Sequence, residues 1–203
     1  MNQHDVFHML LKETIAPLLK AYGFKKKGKN FSKILSDIAW TVNVQSSKWN
    51  TKEEAQFTIN TGIFTNALFG TFYNHEAPQF PTEGVSVLRL QITELKNTAD
   101  TWYKLNHETN LKQLTSELEY DIEEIVLPHL NQFQTIDDVI KEMERREKMK
   151  GWYENPHFLT ILYHAAGYEK KALKRLKKMH THSNDIAQRD FIKELSIRMG
   201  LSI

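Results

Sequence analysis

In several stretches between Phe31 and Ile92 apolar side chains recur at every second position, a spacing that an extended strand turns into one hydrophobic face. In the stretch 39–45, Trp40, Val42 and Val44 point one way, while Thr41, Asn43 and Gln45 point the other. The stretch 56–63 repeats this with Phe57, Ile59 and Ile63 inward and Thr58, Asn60 and Gly62 outward. In 85–92, Leu88, Leu90 and Ile92 oppose Arg89 and Gln91. A further strand is predicted over 31–35, turned into the next at Ser36-Asp37. Strands in succession with no helix between them predict an antiparallel meander.

On either side the period is helical. Phe7, Leu10, Leu11, Ile15, Leu18, Leu19 and Tyr22 form one stripe, within which Pro17 predicts a kink or break, and Gly23 ends the segment. Beyond Trp102, the stripe Leu111, Leu114, Leu118, Ile122 and Ile125 predicts a long helix broken near Pro128. Thr135 with Asp138 reads as a helix start, and the following helix is expected to end by Gly151. Asn155-Pro156 opens another that Gly167 closes, a further one holds Ala172 to Met179, and the last runs from Asp185 to Gly200. Residues 65–84, with two glycines, two prolines and four aromatic anchors, predict a packed surface loop or a short added element.

The expected fold is α+β: an N-terminal helix, an antiparallel sheet with helices on one face, and a helical C-terminal extension. The expected division is 1–134 as the α+β domain and 135–203 as the extension, docked on it because Phe158, Leu162, Leu176 and Leu195 would otherwise form bare apolar stripes. At 203 residues the chain can bury a core without a metal or disulfide staple. It has no cysteine, which excludes thiolate metal sites, a cysteine nucleophile and disulfides. With 27 Lys+Arg against 25 Asp+Glu, net charge gives no argument for nucleic acid. The first residues lack the pattern of a secretory signal and no apolar run reaches membrane-spanning length, so the chain is expected in the cytoplasm with no membrane partner.

The run 23–31 (Gly-Phe-Lys-Lys-Lys-Gly-Lys-Asn-Phe), then Trp40, then 43–49 (Asn-Val-Gln-Ser-Ser-Lys-Trp), then 57–63 (Phe-Thr-Ile-Asn-Thr-Gly-Ile) resembles the bacterial domain-of-unknown-function family numbered 4304. The resemblance spans roughly residues 6–130 and takes in Arg89 and Trp102. It implies a small bacterial α+β domain and carries over no activity, cofactor or catalytic residue.

The outward residues of the strands are the candidate binding surface. Asn43, Gln45, Asn60 and Arg89 would share it, with Trp49 and Trp102 as a rim; amides donate and accept, and an arginine grips a carboxylate or phosphate bidentately. The bland alternative is the wet side of a half-exposed sheet. Gly23 to Lys29 lacks the spacing of a phosphate-binding loop and reads as a solvated turn. Residues 145–178 hold ten basic side chains against three acidic ones, and 108–124 hold six acidic against one basic. With no nucleic-acid motif beside them, both read as solvated faces, and nucleic acid is disfavoured as a partner. Of the nine histidines, His4 with His8 and His180 with His182 lack a third ligand, while His157 and His164 share one helix face at the core edge, so no metal or other cofactor is expected. No catalytic motif is present.

The expected function is therefore a non-enzymatic cytoplasmic binding module that recognises a protein partner, for instance to sequester it, with a small anionic ligand as another occupant. Two other classes stay open. One is an enzyme on a phosphorylated or nucleotide-like substrate with Arg89 as anion clamp; the other is nucleic-acid binding through 145–178.

Overall fold

The computed structural model describes residues 2–99, 102–149 and 155–203; Gly151, the expected end of one helix, lies outside them. In chain order the elements are helix α1 (3–21), strands β1 (Lys25–Lys27), β2 (Asn30–Ile34), β3 (Ile38–Ser46) and β4 (Ala55–Thr65), and helix α2 (Asn66–Tyr73). Then come β5 (Leu88–Gln91), α3 (Ile92–Lys96), β6 (Tyr103–Leu105), α4 (111–131), α5 (Ile136–Glu147), α6 (Pro156–Ala165), α7 (Glu169–His182) and α8 (Ile186–Arg198). They form two compact units: Met1–Phe64 with Phe80–Phe133, and Thr65–Gln79 with Gln134–Ile203.

The first unit is an α+β domain around an antiparallel six-stranded sheet in the order β1-β2-β3-β4-β5, with β6 also on β4. The period of two holds for the core face. Phe57 packs under Phe7 with ring centroids 5.1 Å apart and stacks on Tyr103 at 5.1 Å. Trp40 is buried, and its indole N–H donates to the Phe133 carbonyl at 2.7 Å. Where a kink or break is expected at Pro17 and a break near Pro128, the helical residues run on through both prolines. Proline has no N–H for the carbonyl four residues back, and each helix absorbs the gap by widening into a π-type turn just before it, at Leu11–Ile15 ahead of Pro17 and at Asp121–Val126 ahead of Pro128. The expected solvated turn at Gly23 to Lys29 is also corrected. Lys25, Lys26 and Lys27 form β1, an exposed edge strand paired with β2, and Gly28 turns the chain with φ of 62°. Three lysines on an edge discourage the addition of a further strand.

The other face of the sheet is not the wet side that alternation suggested. Thr41 and Thr58 are fully buried and Asn60 is 8% exposed. The cause at Thr41 is the segment 82–86, whose Ser86 Oγ sits 2.9 Å from Thr41 Oγ1 and donates to the Thr82 carbonyl at 3.1 Å. Gly62 permits that approach. A Cβ there would lie 2.6 Å from Ser86 Cβ and from Thr41 Oγ1, closer than van der Waals contact allows. Gly62→Ala is accordingly expected to destabilise the protein by about 1–3 kcal/mol, the range for overpacking a tight site, read by urea unfolding. A change under about 0.5 kcal/mol would mean that 82–86 leaves the sheet at little cost.

The second unit takes up most of the connection that begins at residue 65. Thr65 caps α2, accepting from the Leu68 N–H at 3.3 Å, and Phe72 of α2 packs edge-on against Phe158 of α6 and Phe191 of α8, with centroids 5.1 and 5.6 Å apart. Arg198 donates to the Thr71 and Phe72 carbonyls at 3.0 Å each, placing a cation at the negative end of α2. The starts of α5, α6 and α8 follow their local signals: a Thr135–Asp138 capping box, an Asn155 cap before Pro156, and an Asp185 cap. Among the described residues no helix is long and apolar enough to cross a membrane.

Candidate functional site

Pairing of β2 with β3 and of β4 with β5 lays the polar residues out in rows. One row runs from Ser32 to its partner Thr41, on to Gly62, whose carbonyl accepts from Thr41 Oγ1 at 3.0 Å, and then to Gly62's partner Arg89. On the same face Asn30 is paired with Asn43, and Asn60 with Gln91. Asn43 Nδ2 donates to Asn30 Oδ1 at 2.8 Å, and Asn60 Nδ2 donates at 2.8 Å to Oε1 of Gln45, two residues along β3 from Asn43.

The sequence-derived site residues therefore fall into separate settings. Asn60 is a buried support for Gln45, so its expected exposure is corrected: β4 is covered on both faces along most of its length. Asn43 is half-buried and Gln45 is exposed. Arg89 does not join Gln45 and Asn60. It pairs through Nε with Glu83 Oε1, and its side chain stays 55% exposed. Its charge is already neutralised by that carboxylate, which weakens the reading of a free anion clamp. Ser32 Oγ and Thr58 Oγ1, on the same face, are buried without a hydrogen-bond partner among the described residues. Such groups cost free energy unless something outside the chain satisfies them.

Trp49 stands apart from these, at 79% exposure in the loop between β3 and β4. The loop is fastened from within. Asn50 exchanges two hydrogen bonds with the Gln56 backbone at 2.8 and 3.1 Å, Thr51 Oγ1 accepts from Glu53 and Glu54 N–H groups at 3.2 and 3.1 Å, and Lys48 Nζ lies 4.8 Å over the indole. Trp102 lines a different feature, a cleft of about 330 Å³ shared with Tyr103, Thr109, Gln113, Leu114 and Glu117.

Beside that cleft lies a network that sequence reasoning missed. Asp121, counted there among solvated acids, is fully buried and accepts from Tyr103 Oη at 2.6 Å and Lys96 Nζ at 2.9 Å. Burial and the hydrogen bond to Asp121 push the Tyr103 hydroxyl far above its ordinary pKa. Burial pulls Lys96 down, but the hydrogen bond and charge of Asp121, aided by Glu117, outweigh it and hold the ammonium above its usual value. A signal was present: Asp121 lies three residues beyond Leu118 and seven beyond Leu114, both core positions of α4, so helical spacing puts it on the inner stripe.

In the second unit, burial opposes ionisation of Glu142, but the hydrogen bonds and charge of Arg145 and Arg146 prevail and lower its pKa. The Tyr163 hydroxyl and then Lys171 do the same for Glu144 against burial. His157, 7% exposed with its ring 5.1 Å from that of Phe191, is pushed down by burial and sits in the core instead of at its edge. Each of these carboxylate, lysine and tyrosine shifts strengthens the charge state the group already has at neutral pH. Among the described residues no group of three His, Asp or Glu could hold a metal ion.

These features define an α+β domain with a polar, partly closed sheet face and a fastened aromatic loop at its margin. The model of the domain-of-unknown-function family DUF4304 matches residues 15–132, and the chain belongs to that family. No curated protein and no solved structure matches the chain.

Proposed function

We propose that the chain is a non-enzymatic binding module of the bacterial cytoplasm that recognises a protein partner at the open margin of the polar sheet face. In this reading Trp49 is the anchor, Gln45 and Asn43 supply hydrogen bonds, and Arg89 supplies a shared charge, while Asn60 holds Gln45 from behind. The observation that carries the proposal is the 79% exposure of Trp49 on a loop tied down by Asn50 and Thr51. A large indole held ready in water costs solvation and saves ordering entropy on association, and tryptophan and arginine dominate measured interface energies.

The test is Trp49→Ala in a tagged chain recovered from its own cell. Loss of at least about 30-fold in affinity for the protein that co-purifies is expected, matching a contact worth 2 kcal/mol or more. Stability should stay within about 0.5 kcal/mol, as for surface changes generally. Unchanged partner recovery from the variant would sink the proposal.

A further inference from the structure

Of the ten basic residues over 145–178, eight fall into two kinds that the second unit separates. Arg145 and Arg146 are bound to Glu142, Lys171 to Glu144 at 3.1 Å, and Arg175 to Glu147 at 2.6 Å. These cations fasten helices. Lys170, Lys174, Lys177 and Lys178 make no ion pair among the described residues, and all four are exposed. At about 100° per residue they fall with Thr181 on one arc of α7 roughly 100° wide, opposite the buried Ala172 and Leu176. The acid of this helix, Glu169, is turned off the arc and lies 2.9 Å from His164 Nδ1. Four positive charges thus line about 12 Å of helix with no ion-pair partner among the described residues. Lys170 with Lys174, Lys174 with Lys178, and Lys174 with Lys177 are like-charge neighbours that weaken the helix by a few tenths of a kcal/mol per pair.

We infer that this lysine face of α7 binds the phosphate backbone of duplex nucleic acid without reading its sequence. Three properties favour that occupant over an acidic protein or a single strand. Lysine is depleted from protein–protein interfaces, and the arc offers neither aromatic nor aliphatic anchor. It also offers no guanidinium fork for bidentate capture of carboxylates, because the arginines nearby are engaged. With no aromatic ring on the arc there is nothing for unpaired bases to stack on, so the duplex backbone is what remains.

The inference is independent of the Trp49 reading and is tested on the full chain by fluorescence anisotropy with a labelled 20-base-pair DNA duplex of arbitrary sequence. The expected dissociation constant is on the order of 10⁻⁴–10⁻⁶ M, with a slope of log K against log salt of about −3 to −4 for four phosphate contacts. The variant carrying Lys170→Gln, Lys174→Gln, Lys177→Gln and Lys178→Gln is expected to lose at least tenfold in affinity and most of that slope. Its melting temperature should hold or rise, since repulsion is relieved. Lys25→Gln, Lys26→Gln and Lys27→Gln together remove three exposed charges from β1 and should leave binding within about twofold. Equal loss in both variants would reduce the effect to net charge and overturn the assignment. So would duplex binding by the α7 variant at wild-type strength, absence of duplex binding at 50 mM salt, or tighter binding of polyglutamate or of single-stranded DNA than of the duplex.

Discussion

Trp40→Ala is expected to lower the free energy of unfolding by about 3–5 kcal/mol, the range for truncating a large buried aromatic. For a chain of this size that is a fall of roughly 6–20 °C in melting temperature. The side chain is 5% exposed and packs 6.4 Å from the Phe24 ring, with Lys33 Nζ 4.8 Å above it. It also ties the sheet to the segment following α4, through the 2.7 Å bond to the Phe133 carbonyl. Truncation therefore leaves both a cavity and a buried acceptor without its donor. Trp40→Phe should keep most of the packing and lose the bond, costing about 1–3 kcal/mol. If Trp40→Ala cost below about 1 kcal/mol in urea unfolding, the helices would not be seated on this face.

Asp121→Ala is expected to cost about 3 kcal/mol, because removing one member of a buried ion pair strands its partners. Tyr103, 8% exposed, would lose the acceptor at 2.6 Å, and Lys96, whose side chain is 27% exposed, would keep Glu117 at 3.5 Å as its carboxylate among the described residues. Asp121→Asn retains an acceptor for Tyr103 and should cost less. The same network sets an alkaline limit. Tyr103 and Lys96 both have folded pKa values raised above their unfolded ones, near 10 and 10.4. Their contribution is thus fully present below about pH 10 and is lost as pH rises through the folded values. Stability measured at pH 8 and pH 11 should fall across that interval, and Tyr103→Phe should flatten the fall. An equal fall in Tyr103→Phe would place the alkaline sensitivity elsewhere.

The family resemblance and the α+β class were legible in the sequence, and so was most of the core. The candidate site was legible only in part. Asn43, Gln45, Asn60 and Arg89 do lie on the non-core face, yet they do not form one row. Gln45 meets Asn60, Arg89 stands opposite Gly62 and turns to Glu83, and Trp102 lies in a cleft of its own. Alternation says which side of a strand a residue takes and nothing of the register between strands, and register decides who meets whom. The short strands β1 and β6 were missed because three residues carry too little pattern to register as a period.

By itself the sequence determined what depends on neighbours within a turn or two. The inward residues Trp40, Val42, Val44, Phe57, Ile59 and Ile63 are core because successive side chains of a strand must leave on opposite sides. The starts of α5, α6 and α8 follow because a cap is a bond between residues two or three apart. Only the tertiary structure decided which polar groups are wet and which charges are free. Thr41 is closed off by Ser86, 45 residues on, and Arg175 is matched by Glu147, 28 residues away. Phe72 finds its packing on α6 and α8, far along the chain. Burial and ion pairing are set by whichever distant segment arrives, and local spacing carries no record of that arrival.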